Sequence, residues 1–416
     1  MNQLFQKDAF AVVRITNFRF FLGYRFFISA ATIMQSVIVG WHIYELTHDV
    51  LQLGMIGLTE VIPQVSISLF AGHFVDKWNR KKIIIYTSIL LLVGSGILIG
   101  YSVPSMHSYE RFGVFPIFIT IFLTGLVRGI LSPAHTAFLG QMAPRELMTS
   151  AATWNSANWQ VAAVTGPAIG GLVYAFFGTF SAYCTVFLFY LTAVLLILFV
   201  RHERIKSAVA QSEGIFSRIN EGVKYVFNNQ VLLGAFTLDM FAVLFGGAVA
   251  VLPVFASDIL KVGPQGLGLL RACPSVGALV MSISLMAKPP LNNTGRSLFL
   301  AVAGFGLCMI VFAVSRNFYL SAASLMVSGA FDNVSVVIRG SILQLFTPDE
   351  MKGRVASVNS IFIGSSNELG AFESGVTAKL MGLVPSVVFG GIMTLVVVGT
   401  VVGNTPLLRK LSLKDA

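Results

Sequence analysis

Residues 144–156 read Pro-Arg-Glu-Leu-Met-Thr-Ser-Ala-Ala-Thr-Trp-Asn-Ser, and residues 348–360 read Pro-Asp-Glu-Met-Lys-Gly-Arg-Val-Ala-Ser-Val-Asn-Ser. Pro144 and Pro348, Glu146 and Glu350, Ala152 and Ala356, Asn155 and Asn359, and Ser156 and Ser360 coincide at one offset of 204 residues, which Gly125 and Gly329 also keep. In a chain of 416 residues that offset is close to half the length. The sequence is written twice.

Composition says what is repeated. Hydrophobic residues make up 55% of the chain and charged residues only 11%, where ordinary soluble domains carry about 25% charged residues. Eighteen acids and 28 bases are too few to cover a water-soluble surface of this size, so a soluble enzyme or a DNA-binding protein is excluded. The net charge of +10 is spread along the chain and forms no basic face. Apolar runs fall at 18–46, 52–75, 83–103, 113–141, 149–177, 180–200, 231–257, 264–287, 297–315, 317–346, 354–382 and 384–408. A spanning helix needs roughly 20 apolar residues. These are therefore twelve membrane helices, in two six-helix repeats related by an axis along the membrane normal. The expected division is a bundle over 1–200, a linker over 201–230 and a second bundle over 231–416. In the linker, Ile215, Phe216, Ile219, Val223, Val226 and Phe227 recur at helical spacing, which predicts an amphipathic helix on the inner membrane surface.

Loop charges orient the chain. Twenty of the 28 Lys and Arg fall on one side, against Arg111, Lys261 and Arg316 on the other. The positive-inside rule then puts both termini in the cytoplasm. The N-terminus lacks a short apolar core followed by a small-residue cleavage site, so the first span is expected to be retained. Cys184, Cys273 and Cys308 sit singly in apolar runs and read as buried small hydrophobes, with no metal site among them.

The loop between spans two and three reads Gly72-His-Phe-Val-Asp76-Lys77-Trp-Asn-Arg80-Lys81-Lys82. Gly72 lets helices approach closely. Asp76 can meet the positive end of a neighbouring helix, and Arg80 can bridge back to it. This loop resembles the signature loop of the major facilitator superfamily, with one residue fewer before the basic cluster. The second half has no acid in the matching loop, Met286-Ala-Lys-Pro-Pro290. Span five carries Gly166-Pro167-Ala-Ile-Gly170-Gly171, which resembles the GPxxGG motif of the superfamily's export-type antiporters. Thr347 to Ser357, Asn17-Phe-Arg19, Glu221-Gly222 and Pro133 are similar to the drug and siderophore exporter branch, which holds enterobactin exporters and macrolide-efflux proteins. The resemblance implies the major facilitator fold, two six-helix repeats around a central cavity. It further implies that Gly72, Asp76, Lys77 and Arg80 latch the cytoplasmic side, and that Gly166, Pro167, Gly170 and Gly171 favour export.

A charge at mid-membrane costs about 2.5–3.5 kcal/mol on insertion scales, so each one is a functional candidate. Span four carries Arg128 and His135, and span ten carries Asp332 and Arg339, each pair seven apart and the pairs 204 apart. These, with Arg25 and Asp239, are the substrate-cavity candidates, and a pairing of Arg128 with Asp332 across the cavity is expected. The structural alternative is that each is satisfied inside its own half. Arg128 partly matches the superfamily's span-four arginine motif, but the usual Gln-Gly after it is absent. Glu60, Asp239, Glu368 and Glu373 are the proton-coupling candidates, since burial favours a protonated carboxyl; structural ion pairing is the competing reading. Arg271 and Lys379 are the remaining buried bases.

The expected function is export of a small amphipathic compound, of drug or siderophore type, by proton antiport with alternating access in a bacterial inner membrane. Proton-coupled uptake of a small metabolite and a non-transporting receptor or scaffold are the alternatives. No phosphate-cradling GxxxxGK loop is present, which argues against ATP as the drive. No enzymatic activity, catalytic residue, cofactor, metal or nucleic acid enters this reading. The partners are a small-molecule substrate, protons and the lipid bilayer, with the chain acting as a monomer.

Overall fold

The computed structural model describes residues 10–201, 215–287, 292–348 and 350–414. Each apolar run becomes a helix. They are α1 (Thr16–Thr47), α2 (Val50–Lys77), α3 (Arg80–Tyr101), α4 (Phe115–Met142), α5 (148–177) and α6 (179–199). After the amphipathic α7 (Ile215–Asn228) come α8 (Gln230–Gly246), α9 (Gly263–Ala287), α10 (Thr294–Val314), α11 (Phe318–Phe346), α12 (Lys352–Met381) and α13 (Leu383–Asn404). No strand occurs among the described residues. Ten stretches of described helix are long and apolar enough to cross a bilayer. One of them, Met148–Phe199, is two spans, α5 and α6, merged across a break at Gly178. The 30-residue α12 is long enough but carries Glu368, Glu373 and Lys379 among many serines. Splitting the first and adding the second gives the twelve membrane helices of the sequence reading.

Local chemistry sets the helix ends. Asn79 accepts from the Lys82 N–H at 3.2 Å, and Asn229 and Asn317 cap α8 and α11 in the same way. Gly178 (φ 78°, ψ 178°) and Gly382 (φ 91°, ψ 160°) join α5 to α6 and α12 to α13. Both conformations are open to glycine and strained for any other residue. The two glycines are 204 apart, so the duplication extends to the sharpest turns of the backbone.

The chain divides into two compact units, Met1–Leu46 with Ile62–Gln211, and Thr47–Val61 with Ser212–Ala416. The first half of α2 thus packs in the second unit. Within the first unit α5 lies against α1: a Cβ on Gly166 would stand 2.9 Å from the Ala30 carbonyl, and one on Gly170 would stand 2.7 Å from Met34 Cγ. The small face of the GPxxGG-like stretch lets these backbones touch. Gly370, 204 residues after Gly166, does the same in the second unit, where its Cβ would stand 2.9 Å from the Val243 and Leu244 carbonyls of α8.

The repeats differ at their first helices. α1 runs unbroken, whereas α8 ends at Gly246 and the chain continues through short turns to a π-helical turn at Phe255–Ile259. The Gly247 carbonyl accepts a hydrogen bond from Ser374 of α12 at 3.1 Å, which satisfies backbone that lipid would leave unpaired. The linker helix α7 docks on the second unit. Val226 enters its core, Tyr225 donates to the Phe346 carbonyl at 2.9 Å, and Glu221 forms an ion pair with Arg354.

Candidate functional site

In the first unit α1, α3, α4 and α5 build one polar network. The Arg25 guanidinium donates from Nη1 to His135 Nδ1 and from Nε to Asn155 Oδ1 at 3.1 Å. With Nδ1 accepting, the neutral imidazole carries its proton on Nε2 and donates it to Tyr24 Oη, 2.7 Å away. Ser88 spends its hydroxyl proton on the Ile84 carbonyl at 2.7 Å, so Tyr24 donates in turn to Ser88 Oγ at 3.2 Å. Tyr24 is 0% exposed and His135 7%, while Arg25 is half-buried. Every member except Arg25 is neutral. Arg128, seven residues before His135 on α4, is half-buried.

In the second unit α8 and α11 bring Asp239 and Arg339 together. Asp239 Oδ2 lies 2.5 Å from Arg339 Nη1, with both side chains under a tenth exposed. Arg339 Nε also donates to Ser335 Oγ at 3.3 Å. Asp332 stands beside this pair and is itself exposed. Asp239, Asp332 and Ser335, with Phe305 and Phe331, line a cavity of about 10 Å³, near the smallest space that holds one water. Two carboxylates here lie in the field of one guanidinium, and Asp239 is the one bonded to it.

A second cluster of the same composition lies where α2, α9 and α12 meet inside this unit. Arg271 of α9 feels the charges of Glu368 on α12 and Glu60 on α2. The α2 and α12 backbones touch at Gly57 and the Glu368 carbonyl, and a Cβ on Gly54 would stand 2.9 Å from Gly375 Cα. At the end of this contact Lys379 donates to Asp49 at 3.0 Å. That hydrogen bond holds the Asp49 carboxyl below its usual value. Glu373 is half-buried on α12, five residues from Glu368 and so on another face.

Of the loop residues, Arg80 donates to the Ala137 carbonyl of α4 at 3.1 Å. The side chains of Gly72, Asp76 and Lys77 lie outside the described residues. Sequence reasoning named Arg25, His135, Asp239, Asp332 and Arg339 and grouped His135 with Arg128 and Asp332 with Arg339 by helix face, but it joined neither Arg25 to His135 nor Asp239 to Arg339. It missed Tyr24, Ser88 and Asn155 as partners and the Asp49–Lys379 bond. Asn155 had a signal of its own, since it is one of the five residues shared by the two copies of the repeated stretch.

Twelve membrane helices in a duplicated arrangement, with charges held inside them, find their match among transporters. Residues 7–415 match the family described as a transmembrane secretion effector. The chain belongs to that family, within the major facilitator superfamily. The family's relatives include the staphyloferrin A transporter of Staphylococcus aureus, 18% identical over 91% of this chain and 93% of that protein. Macrolide efflux protein A of Streptococcus pyogenes is 20% identical over 85% of this chain and 87% of its own length. The enterobactin exporter EntS of Shigella flexneri is 22% identical over 89% and 87%. A POT family transporter solved with 5-aminolevulinic acid superimposes with a TM-score of 0.77 at 11% identity, over 94% of this chain and 96% of that one. A bacterial homologue of the lysosomal transporter Spinster gives 0.70 at 12%, over 96% and 98%. These two likenesses establish the fold. The protein is a multi-pass membrane transporter and not an enzyme.

Proposed function

We propose that this transporter exports a small amphipathic compound across a bacterial inner membrane in exchange for protons, with both termini in the cytoplasm. The observation that carries the reading is the ion pair of Asp239 with Arg339 and the second carboxylate, Asp332, that stands beside it in the field of the same guanidinium. Within a membrane span such a group has one acid more than it can neutralise, and binding one proton removes the surplus. Glu60 and Glu368 around Arg271 repeat that stoichiometry, and Glu373 is a further acid on α12. Export as the direction is supported by the efflux and exporter names of the relatives and by the Gly166-Pro167-Ala-Ile-Gly170-Gly171 stretch packed on α1. Gly72, Asp76, Lys77 and Arg80 belong to the proposal as the cytoplasmic latch, supported by the Arg80 bond to α4.

The test is flux in proteoliposomes with erythromycin, enterobactin and staphyloferrin A as probes. An imposed pH gradient should drive at least one of them against its concentration gradient, opposite to proton flow, and an uncoupler should abolish the movement. Flux that ignores the pH gradient rejects antiport. Movement in the same direction as the protons favours the uptake reading instead.

A further inference from the structure

Arg25 is held in place by side chains that do not neutralise it. A guanidinium offers five N–H donors. One reaches Asn155 and one reaches His135, and both partners are uncharged. Among the described residues no carboxylate pairs with Arg25. The chain of donors from Arg25 through His135, Tyr24 and Ser88 ends on a backbone carbonyl, so each proton in it is placed without any negative charge entering. The second unit treats the position matched to His135 differently. There Arg339, 204 residues after His135, has Asp239 built in as its counter-ion.

A lone cation in a membrane span is expensive and is usually paired. The neutral scaffold around Arg25 fixes the fork and, among the described residues, leaves three of its donors, including both on Nη2, without a bonded partner. The Arg25 side chain is only partly buried. A planar fork with free N–H groups suits a carboxylate or another planar oxyanion, which it grips with two parallel bonds.

We infer that Arg25 is the seat for an anionic group of the transported compound, so that the substrate class is an acidic amphipath carrying a carboxylate or catecholate, with Tyr24, His135 and Asn155 as positioning residues. Identifying the bound anion as the cargo rests on the export reading above. The binding site itself does not.

Binding is measured first, on the purified full chain in detergent, with staphyloferrin A and enterobactin as acidic probes and erythromycin as a basic one. Arg25→Gln should weaken both acids roughly tenfold or more, the loss of a bidentate charge-assisted contact. Arg25→Lys should recover part of that, because it restores the charge without the fork. Erythromycin should bind Arg25→Gln no more weakly than wild type. Equal elution and melting of the variants show that the fold is intact. The inference is overturned if wild type binds neither acid, if Arg25→Gln binds them as wild type does, or if acids and erythromycin weaken alike. Flux separates the two readings. Acids that bind at Arg25 but do not move under a pH gradient sink the export reading and leave the anion site standing.

Discussion

Asp239 and Arg339 show what a single pair of residues does here. They are 100 positions apart in sequence, from α8 and α11, and both are almost fully enclosed. Removing one partner strands the other as a buried charge without its bonded counter-ion, which typically costs about 3–5 kcal/mol, whereas removing both strands neither. Asp239→Asn and Arg339→Gln are therefore each expected to lower the unfolding temperature clearly in detergent, and the double variant to lose less than the sum. A double-mutant cycle that comes out additive would mean the two side chains do not interact. Asp332 gives the internal comparison. It is exposed and makes no direct ion pair among the described residues, so Asp332→Asn should leave stability close to wild type while altering the response of transport to the pH gradient.

Among the elements, α2 and α12 form a close backbone contact in the second unit. Gly54 meets Gly375, and Gly57 meets the Glu368 carbonyl, without room for a side chain, so two backbones lie together as small residues in membrane helices permit. The Asp49–Lys379 bond closes the end of this contact. Lys379 depresses the Asp49 carboxyl, so the folded protein releases that proton more readily than the unfolded chain does. The stabilisation is full above the unfolded carboxyl value, about 3.9, and fades as the pH falls through the lower folded value. Lys379 is 56% exposed, which limits the pair to less than about 1 kcal/mol. Asp49→Asn should then lower the unfolding temperature slightly near neutral pH, and the difference should vanish well below a pH of about 3.9. A difference that persists in acid would assign the effect to packing and not to the charge.

At the scale of the whole molecule, α2 is one helix shared by two units. Residues up to Val61 belong to the second unit, and Ile62 onward belong to the first. Pro63 follows directly. It has no N–H to give the Thr59 carbonyl, and this weakens the helix at that boundary. Pro63→Ala should restore the missing bond and stiffen α2. The expected outcome is slower turnover with unchanged probe binding, read as a fall in kcat at constant dissociation constant. Equal slowing of neither, or a loss of binding alone, would remove Pro63 from the transport cycle.

The twelve spans were legible because an apolar run of about 20 residues in lipid has one way to satisfy its backbone, the helix. α1 falls within two residues of the predicted 18–46 at each end. The duplication was legible for a similar reason, since the 204-residue offset at Pro144, Asn155 and Gly125 is written in residue identity and needs no geometry. Even so, α12 is the least apolar of the spans, and its length and its place in the repeat support the run read at 354–382. The gaps between runs at 177/180 and 382/384 already mark the joints at Gly178 and Gly382, but nothing singles out their positive φ among 39 glycines, because a positive φ is chosen by the helices on either side of it. Partnership was equally hidden. Seven-residue spacing put Arg128 with His135 and Asp332 with Arg339 on common helix faces, but a shared face does not say what that face meets. Only tertiary structure turned His135 to Arg25, 110 residues away, and Arg339 to Asp239. Helix rotation and packing decide such contacts, and they depend on every neighbouring side chain at once.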